Sequence, residues 1–137
     1  MNIASVDTNV LLRATLVQDD RQSEAAIELL TTPNMVFHVS DTAIIEYVFV
    51  LAHHYGFGRA VIADMVHGLE TIESLSWHRE QACAAVDFFA NRPKLSFEDC
   101  LMAEQARALD ALPLYTFDKK LAAQHDAAEL VAVPVAD

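Results

Sequence analysis

Short apolar runs alternate with helical segments along the chain, and this order constrains the fold more than any single residue does. Ile3 to Val6, Met35 to Val39, Ser74 to Trp77, Leu114 to Phe117 and Leu130 to Val133 are predicted strands. Predicted helices cover roughly Thr8 to Val17, Gln22 to Leu30, Thr42 to His54, Arg59 to Ile72, Arg79 to Asn91, Phe97 to Ala111 and a short stretch after Asp118. Strands separated by helices are the sequence form of a parallel sheet covered on both faces. The expectation is an α/β domain. Its 137 residues suffice for one core, and no linker, repeat or low-complexity tract divides them.

Four carboxylates sit against this apolar framework. Asp7 follows the first predicted strand and Asp118 the fourth, at the carboxyl ends where open α/β sheets place their ligand crevices. Glu46 interrupts the apolar run Ala43 to Ala52, with no basic residue three or four positions away. Asp99 shares helical spacing with Met102, Ala103, Ala106 and Leu109, a stripe expected to face the core, while Glu98 points about 100° away. A charge beside apolar residues must be paired, metal-bound or close to water.

Each acid also has a plain structural reading. Asp7 and Asp118 are positioned to cap the helices that follow them. Ser96-Phe-Glu-Asp99 has the form of a capping box, with Asp99 at the third helical position. Glu46 alone has no capping role, its plain reading being a glutamate that reaches solvent at the edge of an apolar helix.

Composition narrows the function. The formal charge of -11, from 20 acidic and 9 basic residues, argues against a generic basic nucleic-acid binder but not against a nuclease whose metals carry the positive charge. Cys83 and Cys100 form no C-x-x-C pair and read as core thiols. His53 and His54 lack the spacing of a helical zinc pair, and the other histidines are scattered. The apolar run at Ala43 is too short for a bilayer, and the N-terminus has no leader pattern, so the expected setting is the cytoplasm, with no membrane partner.

Asp7-Thr-Asn-Val-Leu-Leu-Arg13, Glu46 within its apolar helix, Ser96-Phe-Glu-Asp99-Cys-Leu-Met-Ala and Thr116-Phe-Asp118-Lys-Lys-Leu resemble, in order, the four acidic blocks of PIN-domain proteins. The resemblance spans essentially the whole chain and is greatest to VapC-type toxins of bacterial toxin–antitoxin pairs. It implies a three-layer α/β/α sandwich with a parallel sheet of about five strands in the order 3-2-1-4-5, so that Asp7 and Asp118 flank the switch point. It also implies a metal-dependent endoribonuclease, usually a homodimer, restrained by a cognate antitoxin protein. Asn9 and Thr116 match polar positions that support the family's site. Glu98 is either a fifth ligand or surface, and Arg13, Lys119 and Lys120 either approach RNA phosphates or are solvated helix charges.

The chemistry fits the acid set independently. Carboxylates without His or Cys suit hard Mg²⁺ or Mn²⁺, one or two ions per site, and a bound ion would activate water for attack on an RNA phosphodiester. A dehalogenase-type phosphatase would need an acid where Asn9 stands. A receiver domain would need its aspartate after the third strand, where the chain reads Ser74-Leu-Ser-Trp-His78. The remaining alternatives are a PIN-type nuclease that is not a toxin, and a non-catalytic acidic module that captures a basic protein segment. The helices Thr42 to His54 and Arg59 to Ile72 carry more large apolar residues than one small core readily covers, so Phe49, Tyr55, Phe57 and Val61 are candidates for a dimer contact.

Overall fold

The computed structural model describes residues 1–16 and 20–135. Its elements run β1 (Asn2–Ser5), α1 (Thr8–Thr15), α2 (Arg21–Leu30), β2 (Met35–His38), α3 (Asp41–His53), α4 (Arg59–Gly68), a 3-10 turn (Leu69–Thr71), β3 (Leu75–Ser76), α5 (Arg79–Ala90), α6 (Phe97–Ala108), β4 (Leu114–Thr116), α7 (Lys119–Gln124) and β5 (Ala128–Leu130). The alternation read from the sequence is present, with parallel strands throughout and seven α-helices among the described residues. The predicted end of the first helix at Val17 lies outside the described residues.

Local chemistry sets most helix starts. Asp7, Asp20, Ser40, Ser96 and Asp118 each take extended backbone and accept an amide bond from the first turn of the helix that follows. The Ser23 amide, accepted at 2.7 Å, is the main reason the Asp20 carboxyl is held below the usual carboxylate range. Helix α6 stops three residues before its predicted end. Asp110 takes the left-handed conformation with φ 54°, and bonds from Ala111 N to Ala106 O and from Asp110 N to Arg107 O close the last turn.

The core is largely a helix-to-helix assembly. Leu11, Tyr47, Leu51, Ile62, Val66, Leu69, Val86 and Leu101 are nearly or wholly inaccessible and belong to one cluster. The Tyr47 hydroxyl, buried with its ring, pairs with Thr15 Oγ1 at 2.9 Å, and burial pushes its pKa up. Cys83 and Cys100 are free buried thiols, pushed up by burial to about 12 and about 11.

The expected five-strand order is corrected in one respect. Strand β2 lies between β1 and β3, and β4 pairs with β5, so the 3-2-1 and 4-5 halves of that order are present. No ladder joins β1 to β4 among the described residues, and the sheet is divided into three strands and two. The reason lies in packing. Neither β1 nor β4 contributes a fully buried side chain, and Ile3 and Tyr115 are 77% and 62% exposed, so no shared apolar burial fastens the two edges together. The fifth strand also forms two residues earlier than predicted. Bonds from Leu114 N to Ala127 O and from Val131 N to Thr116 O fix that register and leave Val133 exposed.

Candidate functional site

Asp7 stands where β1 gives way to α1, and its Oδ1 accepts Val10 N at 3.2 Å. The capping role is therefore real, but it engages only one carboxylate oxygen. The other has no partner among the described residues, and Asp7 remains exposed. Glu46 arrives from α3. Because Ala43, Ile44, Tyr47, Val48 and Leu51 turn into the core, the same helix presents Glu46 and Phe49 to solvent. Asp7 and Glu46, distant in sequence, line one open cleft of about 650 Å³ together with the hydroxyl-bearing Ser5, Ser40 and Thr42.

Thr8 sets the relation between these two acids, and sequence reading did not single it out. Its buried hydroxyl donates to Ala43 O at 2.8 Å and approaches Glu46 Oε2 at 3.4 Å. One proton serves the nearer carbonyl first, so Thr8 chiefly pins the start of α1 against α3 and thereby places Asp7 beside Glu46. The sequence signal was a threonine directly after the capping acid, which is common enough to say little alone.

Asp99 and Asp118 come from the starts of α6 and α7. Ser96 Oγ accepts Asp99 N at 3.1 Å, but no return bond from the Asp99 carboxylate to Ser96 N is formed, so only half of the expected capping box exists. The Asp99 carboxylate stands half-buried and uncommitted among the described residues. Asp118 Oδ1 accepts both Lys120 N at 2.9 Å and Leu121 N at 3.1 Å, while its own amide donates to Thr116 Oγ1 at 3.0 Å. Thr116 thus holds the backbone that carries Asp118.

Neither Asp99 nor Asp118 lines the cleft shared by Asp7 and Glu46. Among the described residues, no three of the four acids bring ligand oxygens within 4.8 Å of one another. The cause traces to the sheet. Asp7 follows β1 and Asp118 follows β4, and these strands belong to different half-sheets. The core-facing stripe expected beyond Asp99 is corrected in part. Ala103 is buried and Ala106 half-buried, as expected, whereas Met102 and Leu109 are 46% and 76% exposed, and α6 also buries Phe97, Cys100 and Leu101. Period alone located a face on α6, but its neighbours cover only part of it.

The supporting residues separate from one another. Asn9 and Arg13 line a different groove, beside Gln22, and Arg13 Nη1 pairs with Asp20 Oδ2 at 3.1 Å in a partly exposed bridge of small energetic weight. Glu98 is exposed and lines a second, largely apolar cleft with Glu46, Phe49, Phe97 and Arg59. Lys119 and Lys120 are exposed. Three histidines left unassigned by sequence have acidic partners: His67 with Asp87 and Glu70, His78 with Asp41, and buried His125 with Glu104. Asp41 Oδ2 also accepts Gln105 Nε2 at 2.6 Å, which ties the start of α3 to α6.

The donor set of the first cleft is made of carboxylates and hydroxyls. Hard oxygen donors of this kind fit Mg²⁺ or Mn²⁺ and offer nothing to a thiophilic ion. The PIN domain family model matches residues 4–126, which contain all four acids. No curated protein matches the chain.

Proposed function

Because the chain belongs to the PIN-domain family, a family of metal-dependent nucleases, we propose that it is an endoribonuclease acting as the toxin of a type II toxin–antitoxin pair. The observation that carries this reading is the pairing of Asp7 and Glu46 across one open, oxygen-rich cleft. In this reading Asp7, Glu46, Asp99 and Asp118 hold one or two Mg²⁺ or Mn²⁺ ions, with Asn9, Thr116, Glu98 and Arg13 around them. Such an ion would supply water of lowered pKa and offset charge on the scissile phosphate.

The side chains have distinct tasks in this scheme. Asp7 is oriented by its bond to Val10 N, which keeps one oxygen committed and the other available for an ion. Glu46, exposed and held only weakly by Thr8, is the group placed to take the proton of the attacking water. Asp118 is fixed by two backbone amides, and this fixity suits a ligand better than a proton carrier.

Purified, partner-free protein is expected to cut RNA in Mg²⁺ or Mn²⁺, to stop on chelation, and to leave 5′-phosphate and 3′-hydroxyl ends. A 2′,3′-cyclic phosphate end would reject the water attack. Absence of cleavage under all these conditions would favour an acidic module that only binds a partner.

The cleft bordered by Glu46 and Glu98 supports the antitoxin part of the reading. Its apolar wall includes Ile45, Phe49 and Phe57, so an amphipathic segment with a basic residue would match both the wall and the acidic border. A neighbouring reading frame encoding a DNA-binding N-terminus and an amphipathic tail would support that partner, and its absence would favour a PIN nuclease of another kind. Phe49, Val61 and Tyr55 are 59%, 47% and 38% exposed, which leaves them accessible to a second copy, whereas Phe57 packs partly against the core. The protein is expected to sediment as a homodimer, and a monomer mass unchanged with concentration would defeat that expectation. No described helix is long and apolar enough to cross a membrane.

A further inference from the structure

A second group of donor atoms lies apart from the acidic clefts. His67 near the end of α4, Glu70 in the 3-10 turn and Cys83 in α5 bring their ligand atoms within 4.8 Å of one another, and none of them lines the clefts of Asp7, Glu46 or Glu98. Among the described residues this is the one such mixed group. We propose that His67, Glu70 and Cys83 form a binding site for a thiophilic divalent cation of the Zn²⁺ class, bracing α4 and the 3-10 turn against α5.

The spacing is the first argument. His67 Nδ1 lies 3.2 Å from Glu70 Oε1, and Cys83 Sγ lies 3.3 Å from the same oxygen. With zinc–nitrogen and zinc–oxygen bonds of about 2.0–2.2 Å and zinc–sulfur bonds of about 2.3 Å, neighbouring ligands of a tetrahedral ion sit roughly 3.3–3.7 Å apart. The two contacts are already close to that edge length. His67 and Glu70 are three residues apart and share one turn, while α5 packs against α4 and brings in Cys83.

The second argument is the other face of the imidazole. His67 Nε2 lies 2.7 Å from Asp87 Oδ1. A metal-binding histidine commonly gives its remaining ring proton to a carboxylate, which fixes the tautomer and raises the basicity of the ligating nitrogen. Here that arrangement leaves Nδ1 toward the group formed with Glu70 and Cys83. The donor set supplies one sulfur, one nitrogen and one oxygen, which disfavours Mg²⁺ and Ca²⁺ and suits Zn²⁺. Coordination forms a cation–sulfur bond and releases the thiol proton to solvent. Glu70 is exposed and His67 half-exposed, so an ion has a route in and a fourth position for water.

Without an ion, the same atoms form a hydrogen-bonded clip, and the experiment separates the two. Co²⁺ serves as the probe on the full chain, because a thiolate ligand gives a near-ultraviolet charge-transfer band that carboxylates alone do not. The expected result is one Co²⁺ per chain with that band, displaced by Zn²⁺, and a Zn²⁺-dependent rise in melting temperature. Cys83→Ser, which keeps a donor for Glu70, should fold, lose the band and lose the melting shift. Asp87→Asn should keep the band but weaken Zn²⁺ binding by about 10–100-fold. Glu46→Gln and Asp99→Asn should leave both signals intact, so failure of this site is distinct from failure of the nuclease reading. No band in the wild type, or a band that survives in Cys83→Ser, would overturn the proposal.

Discussion

Asp99→Asn is expected to lower metal-dependent RNA cleavage on the order of 10²–10³-fold, the scale on which one group that stabilises transition-state charge is lost. The amide of Asp99 is engaged by Ser96, but its carboxylate makes no reciprocal bond, so capping accounts for the backbone and leaves the charge unexplained. Asn keeps the shape and one carbonyl acceptor while removing the anionic oxygen that would hold a divalent cation. In the absence of metal its melting temperature should therefore match or slightly exceed that of the wild type. Glu98→Gln, one residue away on the exposed side of α6, should stay within about tenfold of wild-type cleavage. RNA cleavage and thermal melting, each with and without Mg²⁺ or Mn²⁺, measure both variants. Wild-type rates and unchanged metal affinity in Asp99→Asn would remove Asp99 from the site.

The largest stability loss is expected at Arg59. Its Nη1 donates to Phe89 O at 3.0 Å, Arg92 O at 3.0 Å and Leu95 O at 2.7 Å, so two protons are shared among three carbonyls between the end of α5 and the start of α6. The guanidinium also lies over the Phe89 ring, 3.9 Å from its centroid. Arg59→Met preserves much of the aliphatic volume but leaves these carbonyls without their donor, a loss of about 2–4 kcal/mol given the strength of charged hydrogen bonds and the incomplete additivity of three contacts on one group. For a chain of this size that lowers the melting temperature by roughly 6–12 °C. Arg59→Lys should recover only part of it, since an ammonium neither stacks as a plane nor spans the same acceptors. A melting temperature for Arg59→Met indistinguishable from wild type would show that solvent replaces the guanidinium without cost.

What the sequence revealed follows from the range of the forces involved. Helix starts at Asp7, Ser96 and Asp118 were legible because a cap acts within three residues. The pairing of β4 with β5, and of β2 with β1 and β3, followed from the family resemblance rather than from any local signal. Periodicity placed Met102 and Leu109 on one face of α6, but whether that face is covered depends on distant strands, and the structure leaves both side chains open. Arg59 and Thr8 escaped notice for the same reason. Their partners are backbone carbonyls 30 to 36 residues away, and no residue type announces a carbonyl that needs a donor. Glu46 was recognisable as an anomaly on an apolar helix, while its company with Asp7 required the fold.

The division of the sheet has a consequence for how the molecule opens. Hydrogen-bonded units that share no ladder need not unfold together, and their opening free energies are set separately below the global value. The half-sheet built on β2 is anchored by Phe37 and Val39, which are almost inaccessible, whereas β4 and β5 rest on three residue pairs with neither strand fully buried. The second unit is therefore the cheaper to melt locally. Asp7 follows one unit and Asp118 the other, so no continuous ladder joins the two carboxylates among the described residues, and local opening of the second unit would release Asp118 without unpairing β1.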